Sequence, residues 1–344
     1  MKKIRVLVVD DSLFMRAAIK KLLAKDPRLE VVGEAKDGRD GVDKVLALEP
    51  DVCTMDFNMP TLDGAGAVRE IMRLRPTPVV MLSAHTREGA RETFEALAAG
   101  AVDFVSKPAG EVSAEMAGLA ERLIPKVVAA AQAVPHVMAA PSDAPRPPPR
   151  ITLPRTVGNL GPKIAVVAVS TGGPAALGRF LPRLPADTSI ALVVVQHLPA
   201  GFTAALAERL DAICAIRVRE AADGDAVEAG TALIAPGDQH LSFSEGGAVR
   251  IIEGPEVNGV RPAADVTMRS AAQVFGRRCI GVVMTGMGRD GTEGLKLIKA
   301  AGGATLAQDQ ASSVIYGMPR SAIEGGFVDR VVVLDDLADA VRRA

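Results

Sequence analysis

The chain has 344 residues, 48% hydrophobic and 24% charged, an ordinary globular composition and more length than one domain commonly uses. Its 40 basic and 41 acidic residues leave a net charge of −1, which excludes the basic footprint of a nucleic-acid binder or of a protein held on an anionic membrane. With no Trp, one Tyr and nine Phe, base-stacking platforms and interfacial aromatic belts are excluded too.

Met1-Lys2-Lys3 is followed by an apolar stretch that meets Asp10-Asp11 within a few residues, too short for a secretory signal. The longest apolar runs, Ile164–Val169 and Ile190–Val195, hold six residues each, where a membrane helix needs about 18. A cytoplasmic protein without membrane insertion is expected. Cys53, Cys214 and Cys279 lie far apart in apolar segments and read as buried, reduced thiols.

Short runs at Arg5–Val9, Leu29–Val32, Val52–Met55, Val79–Leu82 and Val102–Val105 predict five buried strands. Ser12 is placed to cap a first helix whose Met15, Ala18, Ile19 and Leu22 share one face. The alternation predicts a (βα)5 unit with a parallel sheet. Residues 133–162 hold eight of the 23 prolines and read as an extended linker. Beyond it, strands are predicted at Ile164–Val169, Ile190–Gln196, Cys214–Val218, Ala232–Ala235, Val249–Ile252, Ile280–Thr285, Ala304–Ala307 and Val331–Leu334. The expected fold is α/β throughout, with an N-terminal domain over 1–125, a linker over 126–161 and a doubly wound, mostly parallel α/β domain over 162–344.

In the first domain Asp10-Asp11 end the first strand, Asp56 the third and Ser83 the fourth, and Lys107 follows the fifth. In an open parallel sheet these strand ends line one crevice. Three clustered carboxylates repel one another unless a hard cation sits among them, and Mg²⁺ suits carboxylates with phosphate oxygens. An aspartate beside such an ion and a lysine is a phosphoryl acceptor by chemistry.

The segments Val8-Val9-Asp10-Asp11-Ser12, Met55-Asp56-Phe57-Asn58-Met59-Pro60, Leu82-Ser83-Ala84 and Ser106-Lys107-Pro108 resemble the response-regulator receiver domain over residues 1 to about 110. The resemblance implies Asp56 as the phosphorylation site, Asp11, Asp56 and the Asn58 carbonyl as Mg²⁺ ligands with Asp10 nearby, Lys107 as a phosphate contact and Ser83 as a switch hydroxyl. Phe104 stands where receivers place a rotating aromatic, and core packing is its other reading.

In the second domain the first strand ends in Ser170-Thr171-Gly172-Gly173-Pro174, the second in His197, and Ile280–Thr285 leads into Gly286-Met287-Gly288-Arg289-Asp290-Gly291. A serine at a sharp turn before a helix, an imidazole and a carboxylate at the same sheet edge make a possible triad. Singly they read as a cap, a half-buried histidine and a loop acid. His85, His136 and His240 have no second ligand at metal spacing, and His240 is expected in a turn. A rival reading takes Gly286-x-Gly288-x-x-Gly291 with Asp309 as a dinucleotide fingerprint, but it sits late in the domain.

Ser170–Pro174, Gln196-His197-Leu198-Pro199, Ala235-Pro236-Gly237-Asp238, Thr285–Gly291 and Tyr316-Gly317-Met318-Pro319 resemble the catalytic domain of the CheB family of chemotaxis protein-glutamate methylesterases. The resemblance implies hydrolysis of glutamyl methyl esters on the cytoplasmic helices of chemoreceptors, deamidation of receptor glutamines, and control by a histidine kinase. It assigns Ser170, His197 and Asp290 to the triad and the Thr171 and Met287 amides to the oxyanion, with no cofactor for the esterase step. Ala168-Val169 precede the serine, so a G-x-S-x-G elbow is absent. Two other classes remain open: a receiver joined to a non-catalytic scaffold, and a nucleotide-binding module. A DNA-binding output is disfavoured, because residues 111–344 carry 23 basic against 24 acidic residues.

Overall fold

The computed structural model describes residues 2–83, 86–107, 113–133 and 162–344, which fall into two compact units divided between Ala140 and Pro141. His85, Pro108, His136 and most of the proline-rich stretch lie outside the described residues.

The first unit is a five-stranded parallel sheet in the order β2-β1-β3-β4-β5, with β1 Ile4–Val9, β2 Leu29–Ala35, β3 Val52–Asp56, β4 Val79–Ser83 and β5 Asp103–Ser106. Helices α1 Leu13–Leu23, α2 Gly38–Leu48, α3 Gly64–Leu74, α4 Arg87–Ala99 and α5 Ser113–Ala130 follow the strands in turn. Every residue of β3, β4 and β5 is buried, as strands covered on both faces must be. Ser12 caps α1 as expected, its hydroxyl accepting from the Met15 N–H at 3.3 Å. Of the expected inward face, Ile19 and Leu22 are buried while Met15 and Ala18 are half-buried. Helix α5 runs through Pro125 to Ala130, five residues past the boundary expected at 125.

The second unit is built on a seven-stranded sheet, all parallel, in the order β14-β13-β12-β6-β7-β9-β8. Its strands are β6 Lys163–Val169, β7 Ile190–Gln196, β8 Arg217–Glu220, β9 Thr231–Ile234, β12 Cys279–Val283, β13 Ala304–Gln308 and β14 Arg330–Val332. An antiparallel pair, β10 His240–Phe243 and β11 Val249–Ile252, packs beside it. The helices are α6 Gly173–Phe180, α7 Phe202–Asp211, α8 Ala264–Phe275, α9 Thr292–Ala300, α10 Met318–Glu324 and α11 Leu337–Arg343. One core joins β6, β7, β12, the hairpin and α8, with Met268, Ala271 and Phe275 facing Ile164, Val166 and Val283.

Three expectations shift. The strand predicted at Cys214–Val218 begins at Arg217, because the Ile213 and Cys214 N–H groups still bond to Leu210 O at the end of α7. The strand expected to reach Thr285 ends at Val283, since the Thr285 N–H donates to the Gln308 side-chain oxygen and not to the β13 backbone. His240 opens a strand and does not sit in a turn. The reversal is completed before it, at Asp238, whose φ is 61°.

Candidate active site and phosphoryl-acceptor site

In both units the chain reverses its winding direction beside the first strand of the sheet, and crevices in open α/β sheets form at such points. In the first unit this places the ends of β1 and β3 together. One carboxylate oxygen from each of Asp10, Asp11 and Asp56 lies within 4.8 Å of the others. The Lys107 ammonium bridges Asp10 Oδ2 at 2.9 Å and Asp56 Oδ1 at 2.8 Å. Asp10 is fully buried, Asp56 nearly so, and Asp11 is exposed. Burial, against the pull of Lys107 and with the charge of Asp10, raises the Asp56 carboxyl above its ordinary pKa. Burial alone would lower Lys107, but Asp56 and Asp10 outweigh it and raise its pKa. The hard oxygens of this donor set fit a divalent cation such as Mg²⁺. The Asn58 side chain points elsewhere, its amide donating to Glu92 Oε2 at 3.2 Å.

The Ser83 hydroxyl is buried against α4, donating to Gly89 O at 3.0 Å and accepting from the Thr93 hydroxyl at 2.6 Å. Phe104 is buried. Lys126 lies 5.3 Å from its ring centroid and bonds to Phe104 O and Asp103 Oδ1.

In the second unit the reversal lies between β6 and β12, and β7 adjoins β6. Register pairs Val169 with Gln196, so Ser170 and His197 leave neighbouring strand ends one residue later. The two ends stay tied, because His197 N–H donates to Val169 O at 3.2 Å and Ser170 N–H to Thr285 O at 3.0 Å. The Ser170 carbonyl accepts from Gly173 N–H at 2.7 Å and from the Gln196 amide at 3.0 Å. Gly172 takes φ 76°. A Cβ on Gly173 would stand 2.0 Å from Gln196 Oε1. The turn is thus tight without a glycine before the serine: two glycines after it and a buried glutamine from β7 do that work. Gln196 ends a predicted strand, and nothing local to it signals this contact with the serine turn.

His197 Nε2 lies 2.7 Å from Asp290 Oδ2. An ionised carboxylate only accepts, so Nε2 carries the proton and Nδ1 is left as the basic nitrogen. No hydrogen bond joins Ser170 Oγ to this ring in the resting structure. Such contacts often tighten only with substrate bound. Asp290 is buried. Burial would raise its carboxyl, but the hydrogen bond and charge of His197 with the Ala264 and Asp265 amides outweigh this and hold it below the usual range. Thr171 is buried and Met287 half-buried. Met287 follows Gly286, where a Cβ would meet Ser170 Cβ at 2.7 Å, so this loop runs directly against the serine.

The remaining candidates separate from the site. His240 is buried between Ala263 N–H, which donates to its Nδ1, and Pro255 O, which accepts from Nε2. It is a satisfied core histidine. Asp309 accepts from the N–H and hydroxyl of Ser312, which occupies the acid that the dinucleotide reading requires. Among the described residues no helix is long and apolar enough to cross a membrane.

The geometry defines the class: a phosphoryl-acceptor domain joined to an α/β domain with a serine beside a histidine–aspartate pair. The model of the response regulator receiver domain matches residues 6–115, and that of CheB methylesterase matches residues 165–341. The chain is 49% identical, over all of its length and 97% of the relative, to the protein-glutamate methylesterase/protein-glutamine glutaminase of Symbiobacterium thermophilum. It is 45% identical, over all of its length and 94% of the relative, to the protein of the same name from Pyrococcus abyssi. The crystal structure of the Thermotoga maritima CheB methylesterase catalytic domain matches with a TM-score of 0.52 and 41% identity, covering 53% of this chain and 98% of that one. The chain belongs to the CheB methylesterase family.

Proposed function

We propose that this chain hydrolyses methyl esters of glutamate side chains on chemoreceptors, and γ-amides of receptor glutamines, under the control of its receiver domain. The observation that carries the reading is the 2.7 Å His197–Asp290 pair at the strand end next to Ser170, in a member of this family. Ser170 Oγ attacks the ester carbonyl while His197 Nδ1 takes its proton. Asp290 steadies the imidazolium. The Thr171 and Met287 amides are assigned to the developing oxyanion. Collapse returns the proton from His197 to the departing methoxide, releasing methanol, or to the amine of a glutamine substrate, releasing ammonia. Water then attacks the acyl-serine with His197 again as base, and glutamate leaves with Ser170 restored. No cofactor enters this cycle.

In the receiver, Asp56 is the assigned phosphoryl acceptor and a histidine kinase the donor. A Mg²⁺ ion held by Asp10, Asp11, Asp56 and the Asn58 carbonyl would supply positive charge opposite the transferring oxygens. Lys107 adds a fixed charge on the protein's side. Ser83 and Phe104 are the switch residues in this reading, moving toward the phosphate from their contacts with α4 and Lys126. The buried cysteines, none in a disulfide, suit a cytoplasmic site of action.

The test is methanol release from a methylated receptor preparation, with and without phosphodonor. Ser170→Ala is expected to lose roughly 10³-fold or more, and Asp56→Asn to keep its basal rate but no longer respond to phosphodonor. Wild-type turnover in the Ser170 variant refutes the nucleophile. An undiminished response in the Asp56 variant refutes the acceptor.

A further inference from the structure

We propose that Asn258 and Asp265 are positioning residues for the His197–Asp290 pair, acting through a crossed exchange of helix caps closed by one bridging amide. The inference rests on the triad reading above. Helix α8 begins after Ala263 and α9 after Gly291, and neither has a side-chain cap of its own. Asp290, two residues before α9, instead caps α8. Its Oδ2 accepts from Ala264 N–H at 2.6 Å and its Oδ1 from Asp265 N–H at 3.1 Å. Asp265, in the first turn of α8, caps α9 in return, its Oδ1 accepting from Gly294 N–H at 2.7 Å. The helices must lie close for this exchange. A Cβ on Gly294 would stand 2.5 Å from Met268 Cβ, so a side chain there would push α9 away from α8.

The exchange brings two buried carboxylates together, which is costly unless donors lie between them. Asn258 supplies these. Its Nδ2 donates to Asp265 Oδ2 at 2.8 Å and to Asp290 Oδ1 at 3.1 Å, one hydrogen for each acid. Two independent demands fix the residue type. The Val257–Val260 turn sets Asn258 at φ 57° and Gly259 at φ 74°, a region that Asn, Asp and Gly tolerate. Of these three, only Asn carries two side-chain donors. Asp290 thus takes three hydrogen bonds besides that to His197, which fixes the plane of its carboxylate and, through Nε2, the direction of the basic Nδ1. Burial and the Asp290 charge raise Asp265 above the usual carboxyl range against the Gly294 and Asn258 bonds, as expected of the less well compensated partner.

The charged group in contact with the ring is Asp290, from the loop after β12. Asp265 on α8 is joined to it through Asn258, Arg289 in the same loop is exposed, and Asp238 accepts from Ala200 N–H at 3.4 Å, three residues past His197. Asn258→Gly removes the amide without straining the turn. Asp290 then loses a donor, favours the imidazolium more strongly, and moves the acidic limb of kcat/KM to higher pH. Asp265→Asn keeps an oxygen for Gly294 but removes a negative charge, and moves that limb to lower pH. In the full-length protein each variant is expected to lose roughly tenfold in kcat with KM nearly unchanged, with opposite limb shifts of about half a unit. Loss of kcat without opposed shifts would reduce the bridge to a structural role and overturn the proposal, as would kcat within twofold of wild type in both variants. Should Asp265→Asn fail to fold, Asn258→Gly, in an exposed turn, decides alone by its kcat and upward limb shift. Ser170→Ala and Asp290→Asn are assayed alongside. If those two retain turnover, the triad reading itself falls. If they are inactive while the bridge variants match wild type, only the present inference falls.

Discussion

The helices of the two domains begin in different ways. In the receiver, α1, α2, α3 and α4 each start on a local side chain, Ser12, Asp37, Asp63 or Thr86, accepting from the N–H three residues on. In the catalytic domain, α6, α7, α8, α9 and α10 start without such a cap, on Gly172, Gly201, Ala263, Gly291 and Gly317. Unsatisfied N–H groups at a helix start attract negative charge. A helix that caps itself closes that option, whereas one without a side-chain cap leaves it to a distant carboxylate. Asp290 fills that place on α8, so in the catalytic domain the residue that completes the helix is also the one bonded to His197.

The largest consequence is expected at Asp290→Ala. It removes the acceptor of the Ala264, Asp265, Asn258 and His197 donors together, so both functions fail at once. Methanol release should fall roughly 10³-fold or more, and the unpaired buried donors should cost a few kcal/mol of stability, read as a lowered melting temperature. Activity loss with unchanged melting would show that the cap is dispensable to the fold.

A pH series sharpens the same point. The folded pKa of Asp290 is depressed, so its stabilising contribution is complete above the unfolded carboxyl value of about 3.9. It is lost as pH falls through the folded value. The melting difference between wild type and Asp290→Asn should therefore hold steady from about pH 5 upward and narrow below about pH 4. A difference growing toward acid pH would contradict the depressed pKa.

Next in size is Gly173→Ala. The added methyl would lie 2.0 Å from Gln196 Oε1, which is buried and has no donor among the described residues. Since the amide nitrogen holds the Ser170 carbonyl, relief must move either the glutamine or the turn that carries Ser170. A stability cost of about 1–3 kcal/mol and a fall in kcat exceeding any change in KM are expected. A fully active variant would show that the elbow does not depend on this contact.

Capping also marks how far the sequence could be read. Strand ends were legible because buried parallel strands are unbroken apolar runs, and with them Asp10, Asp11, Asp56, Lys107, Ser170 and His197, each one or two steps beyond a run. Ser12 was legible as a cap because its partner is three residues away. Asn258, Asp265, Gln196 and Gln308 were not. Gln308 Oε1 accepts from Thr285 N–H at 2.9 Å, and Asn258 lies 32 residues from its partner Asp290. Such pairs exist only once the sheet order is set. The pair Asn258-Gly259 did carry a turn signal, but a turn predicts where the backbone bends and says nothing of what the asparagine will reach.

The smallest effect is expected where a cap is purely local. Asp37 accepts only from Asp40 N–H, at 2.9 Å, among its hydrogen bonds to described residues, and it is no member of the Asp10, Asp11 and Asp56 cluster. Replacing it with alanine should cost about 1 kcal/mol. The first-turn amides of α2 should then exchange roughly fivefold faster in the full-length protein, if that turn opens as a unit. Phosphoryl labelling of Asp56 and methanol release should not change, because no donor of either site loses its acceptor. If Asp37→Ala instead lowered esterase turnover as Asp290→Ala does, a local cap would carry function as well, and the division between self-capped and remotely capped helices would lose its meaning.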